Sequence, residues 1–369
     1  MQIQIDPATD SRRDQSVRIV NPSLDERWDA YVSRHPQGSV YHCSFWMEVL
    51  QKAFGYHPMC FIAVNGNDEV IGCAAFAIVR SHLTGSRLVS LPFSDYCEIL
   101  SDNLSTERAI LEAVLEKADN LRVGRIEIRA RNGGADFLQE YGFEAERIFL
   151  SHVLPTTEPV GILFKKIHYS YKKALRKAVK SELTITMAST EFELRAYYKL
   201  YVQTRRFRGL PPMPYCFFQN IWKSVLPTGM PILLLVLYNG SIIAGLFLLK
   251  AGDGLYGLSM ASDRDFLLMR PNNLLYWRGI EIACESRLKY FDCGRTSLEN
   301  EGLLRFKRQW GTSEHTITHF VRQTASSNVA LSHSVPYTSL RKGIIQDICK
   351  RLPPLVLEIG SRLLYRHLG

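Results

Sequence analysis

The chain has 369 residues, more than one ordinary hydrophobic core accommodates, so two domains are expected. Hydrophobic residues make up 46% of the chain and charged residues 22%, which excludes an intrinsically disordered protein. The net charge of +9 favours anionic partners such as tRNA, nucleotide phosphates or an acidic membrane surface, and it indicates no particular fold.

Several function classes lack their sequence signals. No two of the eight cysteines have CxxC spacing, and there is no GxSxG elbow or P-loop. His315 and His319 lie in an alternating, strand-like run without the glutamate of a zinc protease, so no metal is expected. The polar N-terminus has no apolar signal core, which predicts a cytoplasmic protein. The apolar region 231–249 is interrupted at Asn239-Gly240, and neither part reaches the roughly 20 residues of a membrane span.

The first half predicts a flexible N-terminus at 1–16, followed by a mixed set of helices and strands. Apolar residues at helical spacing indicate helices at 25–32 and 44–53. Two apolar runs around Asn65-Gly66 indicate a β-hairpin at 60–79, because both turn positions favour positive φ. A strand at 87–92 follows, then a helix at 106–121 capped by Ser105 or Thr106, and strands at 124–129 and 141–150.

The second half repeats this order at an offset of about 170 residues. Helices are predicted at 192–202 and 215–226, a hairpin around Asn239-Gly240, a strand at 255–261, a helix at 272–287 and a strand at 290–293. Each unit therefore reads helix, helix, hairpin, strand, helix, strand, strand. This pattern predicts a mixed α/β fold of two tandem domains, 17–160 and 161–322, each a mixed sheet flanked by helices.

Two basic segments flank the second unit. Residues 165–180 contain seven basic residues and no acid, and Ile167, Tyr171, Ala174 and Ala178 form an apolar stripe at helical spacing. This linker helix either packs by its stripe with solvated lysines or contacts phosphates. The tail, 323–369, becomes basic and leucine-rich, and it either packs on the body or lies on an anionic membrane face.

The segment 290–311 carries the strongest indication of a ligand site. Its apolar strand is predicted to break at Gly294 into a polar loop, after which a basic and aromatic segment runs from Arg305 to Trp310. Ligands of open α/β sheets bind beyond the carboxyl ends of strands. The alternative is a solvated loop before a basic surface turn.

A second candidate is the junction where the strand at 255–261 leads into the helix beginning near Asn272. Such a junction offers backbone N–H groups to an anion. Acetyltransferases that use coenzyme A have a [QR]xxGx[GA] loop here, but this chain has no glycine between Gly257 and Gly279. The sequence therefore does not predict an ordinary acetyl-CoA cradle.

Three segments of the second half carry a resemblance to a known family: TRRFRGLPPMPYCFF (204–218), MRPNNLLYW (269–277) and FDCGRTSLENEGLLRFKRQWG (291–311). With the duplicated unit, they make the chain resemble the FemAB-like acyltransferases, which are tandem GNAT-type domains. WDAYVSRHPQGSVYHCSFW (28–46) and SRLVSLPFSDYCEIL (86–100) resemble the subgroup associated with exosortase and exopolysaccharide loci. The resemblance covers about residues 20–322.

The resemblance implies acyl transfer to an amine in envelope or exopolysaccharide biosynthesis. The donor it implies is aminoacyl-tRNA or acyl-CoA, and the acceptor it implies is an amine-bearing envelope or sugar precursor. The chain lacks the long helical-hairpin insertion of some tRNA-using members. Peripheral contact with the inner membrane through the basic tail is a further expectation. Two alternatives stay open, namely an acyl-CoA-dependent N-acetyltransferase of amino sugars and a non-catalytic scaffold of polysaccharide assembly.

The site residues follow from this chemistry and from the family's Phe-Lys pair at the donor site, which matches Phe306-Lys307. Amide formation builds an oxyanion, so Lys307 is expected to stabilise it unless it is a snorkelling surface lysine. Arg295 is expected to orient the donor, and Asp292 to receive the amine's proton or to cap the turn. The cleft is expected between the units and mainly on the second. The predicted substrate-binding residues are Phe306, Thr296, Ser297, Asn300, Arg205, Arg206, Asn272, Asn273 and Trp310.

Overall fold

The computed structural model describes residues 15–81, 85–225, 228–326 and 339–368. The predicted flexible segment 1–16 lies outside them apart from its last two residues, where the first strand begins. The elements of the first repeat are β1 (Ser16–Val20), α1 (Glu26–Arg34), α2 (Ser44–Phe54), β2 (Pro58–Val64), β3 (Val70–Ser81), β4 (Gly85–Val89), β5 (Leu100–Ser101), α3 (Leu104–Asn120), β6 (Arg125–Arg131), α4 (Ala135–Glu140) and β7 (Glu144–Pro155).

The second repeat has the predicted elements in the predicted order, with one strand and one helix in addition. Its elements are α5 (Val160–Lys166), α6 (Tyr169–Lys180), β8 (Thr184–Met187), α7 (Glu191–Phe207), α8 (Tyr215–Val225), β9 (Pro231–Tyr238), β10 (Ser241–Ala251), β11 (Gly254–Ser262), α9 (Pro271–Glu285), β12 (Tyr290–Ser297), α10 (Glu301–Arg308) and β13 (Ser313–Gln323). The mixed α/β class and the repeated unit are thus confirmed.

Strands of both repeats form one continuous 13-stranded sheet in the described chain, in the order β1-β2-β3-β4-β6-β13-β7-β12-β11-β10-β9-β8, with β5 beside β3. The last strands of the repeats are exchanged. β13 of the second repeat lies between β6 and β7 of the first, and β7 pairs with β12. The repeats therefore lie side by side, joined through their last strands.

One buried cluster combines residues of both repeats, and the exchange completes the other two. Phe320 on β13 is buried in the first repeat's cluster with Ile126 and Phe137. Leu154 on β7 is buried in the second repeat's cluster with Phe291. Each repeat thus supplies one strand and one apolar side chain to the other's core.

Of three local predictions, one was confirmed and two were wrong in detail. The hairpin at Asn239-Gly240 has φ values of 48° and 75°, as predicted. At Asn65, however, the positive φ falls on Asp68, because the Asn65 side chain accepts the N–H groups of Asn67 and Glu69 and closes a longer loop. The cap of α3 is Asn103 instead of Ser105 or Thr106.

The basic linker, predicted as one helix over 165–180, is two helices. α5 ends at Lys166 and α6 begins at Tyr169, where the His168 side chain accepts the N–H of Ser170. Tyr171, Leu175 and Ala178 form the buried face of α6. The stripe therefore packs, and most of the lysines of this segment face solvent.

The tail forms α11 (Ser339–Arg351) and α12 (Pro354–Leu368), and α12 packs on the body. Tyr365 is buried there, and its backbone oxygen accepts the Tyr56 hydroxyl at 3.0 Å. No helix in the described part of the chain has the length and apolar character that a membrane crossing requires.

Candidate active site

The site is organised by a bulge in β12. β11 and β12 pair in parallel only from Gly254↔Tyr290 to Tyr256↔Asp292, and β12 then continues against β7 with a register shift between Asp292 and Arg295. Gly294 lies in this bulge at φ 75°, where a Cβ would meet Gly257 O at 3.1 Å. The predicted polar loop after Gly294 is therefore wrong as far as Ser297, since the strand extends that far.

Asp292 is buried and holds the bulge together. Its Oδ1 accepts the N–H of Gly294 at 2.8 Å and the hydroxyl of Ser151 at 3.4 Å. Its Oδ2 accepts the hydroxyl of Tyr96 at 3.1 Å and lies 3.5 Å from an Arg131 nitrogen. Burial raises the pKa of Asp292, and Arg131 opposes that rise. Of the two expected roles, the contacts are those of the turn cap, with both carboxylate oxygens already accepting.

Arg295 joins the two repeats. Its backbone N–H donates to Oδ2 of Asp95 at 2.9 Å, and its Nε lies 3.2 Å from Oδ1. A terminal nitrogen lies 3.2 Å from Nε2 of His319, whose Nδ1 lies 3.3 Å from Glu127. Burial lowers the pKa of Arg295, and Asp95 acts in the opposite sense. The guanidinium is therefore held by protein groups on two sides.

Lys307 is a buried cation at the base of the bulge, with only 3% of the residue exposed. Its Nζ donates to Gly294 O at 2.6 Å and to Arg295 O at 3.4 Å, which leaves one of three N–H groups for another acceptor. Burial lowers the pKa of Lys307, whereas Cys293, Asp95 and Asp292 act to raise it. Within the described chain no carboxylate lies at ion-pair distance from this ammonium.

Aromatic residues fix α10, and hence Lys307, in place. Phe306 contacts Tyr276 edge-on, with ring centroids 4.8 Å apart. Trp310 stacks on Tyr171 at 4.7 Å and is 1% exposed. The predicted substrate contacts Phe306 and Trp310 thus belong to packing between α6, α9 and α10.

Five of the remaining predicted residues lie at the end of β12, at the start of α10 and under the tail. Thr296 is buried, and its hydroxyl has no hydrogen-bond partner among the described residues. Ser297 and Asn300 accept backbone N–H groups and shape the start of α10. Arg205 and Arg206 hold the tail, where Arg205 reaches the Tyr365 hydroxyl at 3.4 Å and Arg206 the Leu352 carbonyl at 2.8 Å.

Asn272 and Asn273 lie in the first turn of α9, beside a cavity of about 280 Å³. Asn272 lines the cavity together with Arg208 and Arg264. Burial lowers the pKa of Arg208, and the positive charge of Arg205 lowers it further. An anion bound in the cavity would therefore stabilise the protonated form of Arg208. Asp263, which also lines the cavity, already accepts the N–H of Asp265.

The ordinary coenzyme A cradle does not fit this junction. α9 begins with Pro271, which has no N–H, and the positive φ before it belongs to Arg270 and not to a glycine. Guanidinium groups are therefore the donors offered to an anion here.

The sequence analysis missed the first-repeat half of the site, namely Asp95, Tyr96, Arg131 and Ser151. The only sequence signal was the segment SLPFSDY at 90–96, in which Leu91 and Phe93 adopt positive φ. The cleft was expected between the units and mainly on the second, and the cluster around the bulge takes residues from both repeats.

Comparisons with known proteins agree with this architecture. Residues 165–308, less than half of the chain, match the family described as "Acetyltransferase (GNAT) domain". Comparison with curated protein sequences gives no match.

Solved structures extend the likeness to both repeats. FemX has a TM-score of 0.68 and 18% identity, covering 84% of this chain and 97% of that chain. A tandem GNAT protein from the clavulanic acid biosynthesis pathway has a TM-score of 0.58 and 10% identity, covering 84% and 98%. The C-terminal domain of a lysylphosphatidylglycerol synthetase from Agrobacterium fabrum has a TM-score of 0.56 and 11% identity, covering 85% and 96%. At these identities the likeness concerns the fold, which is that of tandem GNAT proteins.

Proposed function

We propose that this protein is an N-acyltransferase that moves an acyl or aminoacyl group from an anionic donor to an amine of a cell-envelope or exopolysaccharide precursor. The observation that carries the proposal is the Lys307 ammonium, buried at the β12 bulge, held by two backbone carbonyls and without a carboxylate partner in the described chain. A structural cation would ordinarily be paired in such a position.

The chemistry needs a fixed positive charge. The amine nitrogen attacks the acyl carbonyl carbon, a C–N bond forms, and the C–O bond of an aminoacyl ester or the C–S bond of a thioester breaks. The departing oxygen or sulfur takes up the proton that the nitrogen loses. Negative charge builds on the carbonyl oxygen meanwhile, and the third N–H of Lys307 supplies a preorganised donor for it. Asp292 and Arg295 position the bulge on which Lys307 rests.

The proposed site of the anionic donor is the cavity beside α9. Arg208 and Arg264 line it, and the first turn of α9 ends there. Tyr276, one turn further along α9, packs on Phe306 next to Lys307, so one helix contributes both to the cavity and to the packing around Lys307. Aminoacyl-tRNA and coenzyme A thioesters both carry phosphate groups, so the cavity fits either class of donor. An assay that offers each donor separately shows which one the protein uses.

The proposal of a cell-envelope acceptor is supported by the similarity to one solved structure and by the surface of the C-terminal tail. One similar structure is named as part of a lysylphosphatidylglycerol synthetase, a name that joins an aminoacyl group to a lipid. On α12, Leu355, Ile359 and Leu363 are 66%, 63% and 65% exposed at four-residue spacing, and Arg362 and Arg366 are exposed nearby. An apolar stripe flanked by arginines suits the surface of an anionic bilayer. The proposed membrane contact is therefore the outer face of α12.

The test is an amide-forming assay with purified protein, acetyl-CoA or lysyl-tRNA as donor, and amine acceptors followed by mass spectrometry. Lys307→Met should lower turnover by about 10² to 10³. Arg305→Ala, on the exposed face of the same helix, is the matched control and should leave turnover unchanged. Equal turnover of Lys307→Met and the unmodified protein would remove Lys307 from the mechanism.

The scaffold alternative makes a different prediction. Flotation with phosphatidylglycerol vesicles that survives Lys307→Met, with no transfer from either donor by the unmodified protein, would favour it. The exchange Ile359→Ser with Leu363→Ser should weaken flotation if α12 is the contact, and phosphatidylcholine vesicles serve as the uncharged control.

A further inference from the structure

The first repeat has a cavity of about 550 Å³ at the N-terminus of α3 and the carboxyl end of β6. Asn103, the cap of α3, and Ala130 and Arg131 of β6 line it. α3 and α9 are the corresponding helices of the two repeats, and each has a cavity at its first turn. The duplication has produced two cavities with different lining.

Glu98 distinguishes the cavity of the first repeat. It lines the cavity, only 8% of it is exposed, and neither carboxylate oxygen has a hydrogen bond to another described residue. Its backbone oxygen accepts Nε2 of the buried His42 at 3.0 Å, which fixes the loop that carries it. A buried carboxylate without a partner is costly to a fold, and such groups are retained where a ligand satisfies them.

The charge around Glu98 favours a cation. Glu107 and Asp136 also line the cavity. Arg131 lines it too, but its guanidinium is engaged with the Tyr96 hydroxyl at 2.8 Å and with Asp292 at 3.5 Å. The cavity is thus lined by three carboxylates and by one arginine that already has partners. This negative charge repels a phosphate-bearing donor and attracts an ammonium group.

We propose that this cavity binds a primary ammonium group on a molecule of sugar or dipeptide size, with the carboxylate of Glu98 as its charge partner. Ile99, Ile128 and Phe137 supply an apolar wall for the body of that molecule. Arg131 connects the cavity to Asp292 and so to the bulge. The ligand is the amine-bearing acceptor, an identification that rests on the acyl transfer proposed above, whereas ammonium binding itself does not.

The test is isothermal titration of the full-length protein with matched pairs of probes. The first pair is glucosamine and N-acetylglucosamine, and the second is Nα-acetyllysine amide and its Nε-acetylated form. The charged member of at least one pair should bind at least ten times more tightly than its acetylated form. The pair that responds tells an amino sugar from an amino-acid side chain. Equal binding of charged and acetylated forms in both pairs overturns the proposal, and that comparison needs no variant.

Glu98→Gln should weaken binding of the charged probe at least tenfold. Glu116→Gln removes a carboxylate from the exposed face of α3 and should leave binding unchanged. Undiminished binding by a folded Glu98→Gln variant contradicts the assignment.

Failure of this inference can be told from failure of the proposed function. Lys307→Met should keep the affinity for the charged probe although transfer is lost. If probe binding depends on Glu98 but no donor supports transfer, the cavity is still an ammonium site and the proposed acyltransferase activity is wrong. If transfer occurs and Glu98→Gln leaves the KM of the acceptor unchanged, the acyltransferase activity is supported and the cavity is not the acceptor site.

Discussion

The Lys307 ammonium is held by backbone oxygens and not by a carboxylate, and its burial changes its pKa. Burial lowers the pKa of the Lys307 ammonium below its usual 10.5, against the opposing effects of Cys293, Asp95 and Asp292. If the protonated ammonium stabilises the oxyanion, kcat must fall as the pH rises through this lowered pKa. We expect an alkaline limb in the kcat–pH profile below pH 10.5. In Lys307→Arg, any residual activity should lose that limb, because a guanidinium stays protonated. An identical limb in Lys307→Arg would assign the titration to another group.

Glu98 gives a prediction about stability. Burial raises the pKa of Glu98 from 4.5 to about 7, while Arg131 opposes the rise and Glu107 adds to it. Between these two pKa values the unfolded chain releases a proton that the folded chain keeps, so the free energy of unfolding decreases as the pH rises. His42, Arg131, Glu107 and Asp136 are the titratable or charged groups that face Glu98 or share its cavity.

We therefore expect Glu98→Gln to be more stable than the unmodified protein at pH 8, by up to about 3 kcal/mol, and not at pH 4.5. Urea denaturation at the two pH values measures the difference, and Glu116→Gln is the control. A stability gain combined with lost probe binding would mark Glu98 as a residue kept for a ligand. Equal stability at pH 8 would mean that Glu98 is solvated in the free protein.

At the scale of single residues, the sequence could predict only what lies in one continuous segment. Asp292, Arg295 and Lys307 are within sixteen positions of each other, so their proximity was foreseeable. Asp95 and Tyr96, in the loop after β4, and Arg131, at the end of β6, reach the same place through side-chain contacts with the second repeat. No periodicity in the first repeat indicates that contact.

The β12 bulge is the element that turns an ordinary strand into a site. Gly294 allows it through a φ of 75°, and a Cβ there would lie 3.1 Å from Gly257 O and 3.3 Å from Asp95 Oδ2. The sequence analysis located the break correctly but extended it into a loop, because polar residues after a glycine are typical of one. Pairing of Arg295, Thr296 and Ser297 with β7 outweighed that local preference.

Gly294→Ala should destabilise the protein by about 1 to 3 kcal/mol and lower transfer, because strain in the bulge moves the carbonyl that holds Lys307. Gly302, in the first turn of α10, has open space around its added Cβ and serves as the control. Gly302→Ala should be neutral or stabilising by up to about 1 kcal/mol. Thermal unfolding and the amide-forming assay measure both variants. A Gly294→Ala variant that retains full transfer would separate the bulge from catalysis.

The whole molecule is organised by the exchange of β7 and β13. The repeated order of elements was readable because hairpins, helices and strands have local patterns of hydrophobicity. The exchange was not readable, since it depends on which edge each last strand pairs with, and two copies of one unit offer nearly equivalent edges. The proposed division at 160–161 follows the repeat along the chain, yet each core is completed by the other half.

This interdependence predicts the behaviour of the two halves. A fragment of residues 1–158 lacks Phe320 and the strand between β6 and β7, and a fragment of residues 159–369 lacks Leu154 and the strand beside β12. Each would expose long unpaired edges and an incomplete core. We expect neither fragment alone to unfold cooperatively in urea, and the two expressed together to form a one-to-one complex that does. Size-exclusion chromatography with circular dichroism tests this. Two independently folded monomers that do not associate would show that the exchanged strands are dispensable, and the cluster joining Asp95, Arg131 and the β12 bulge would then lose its structural basis.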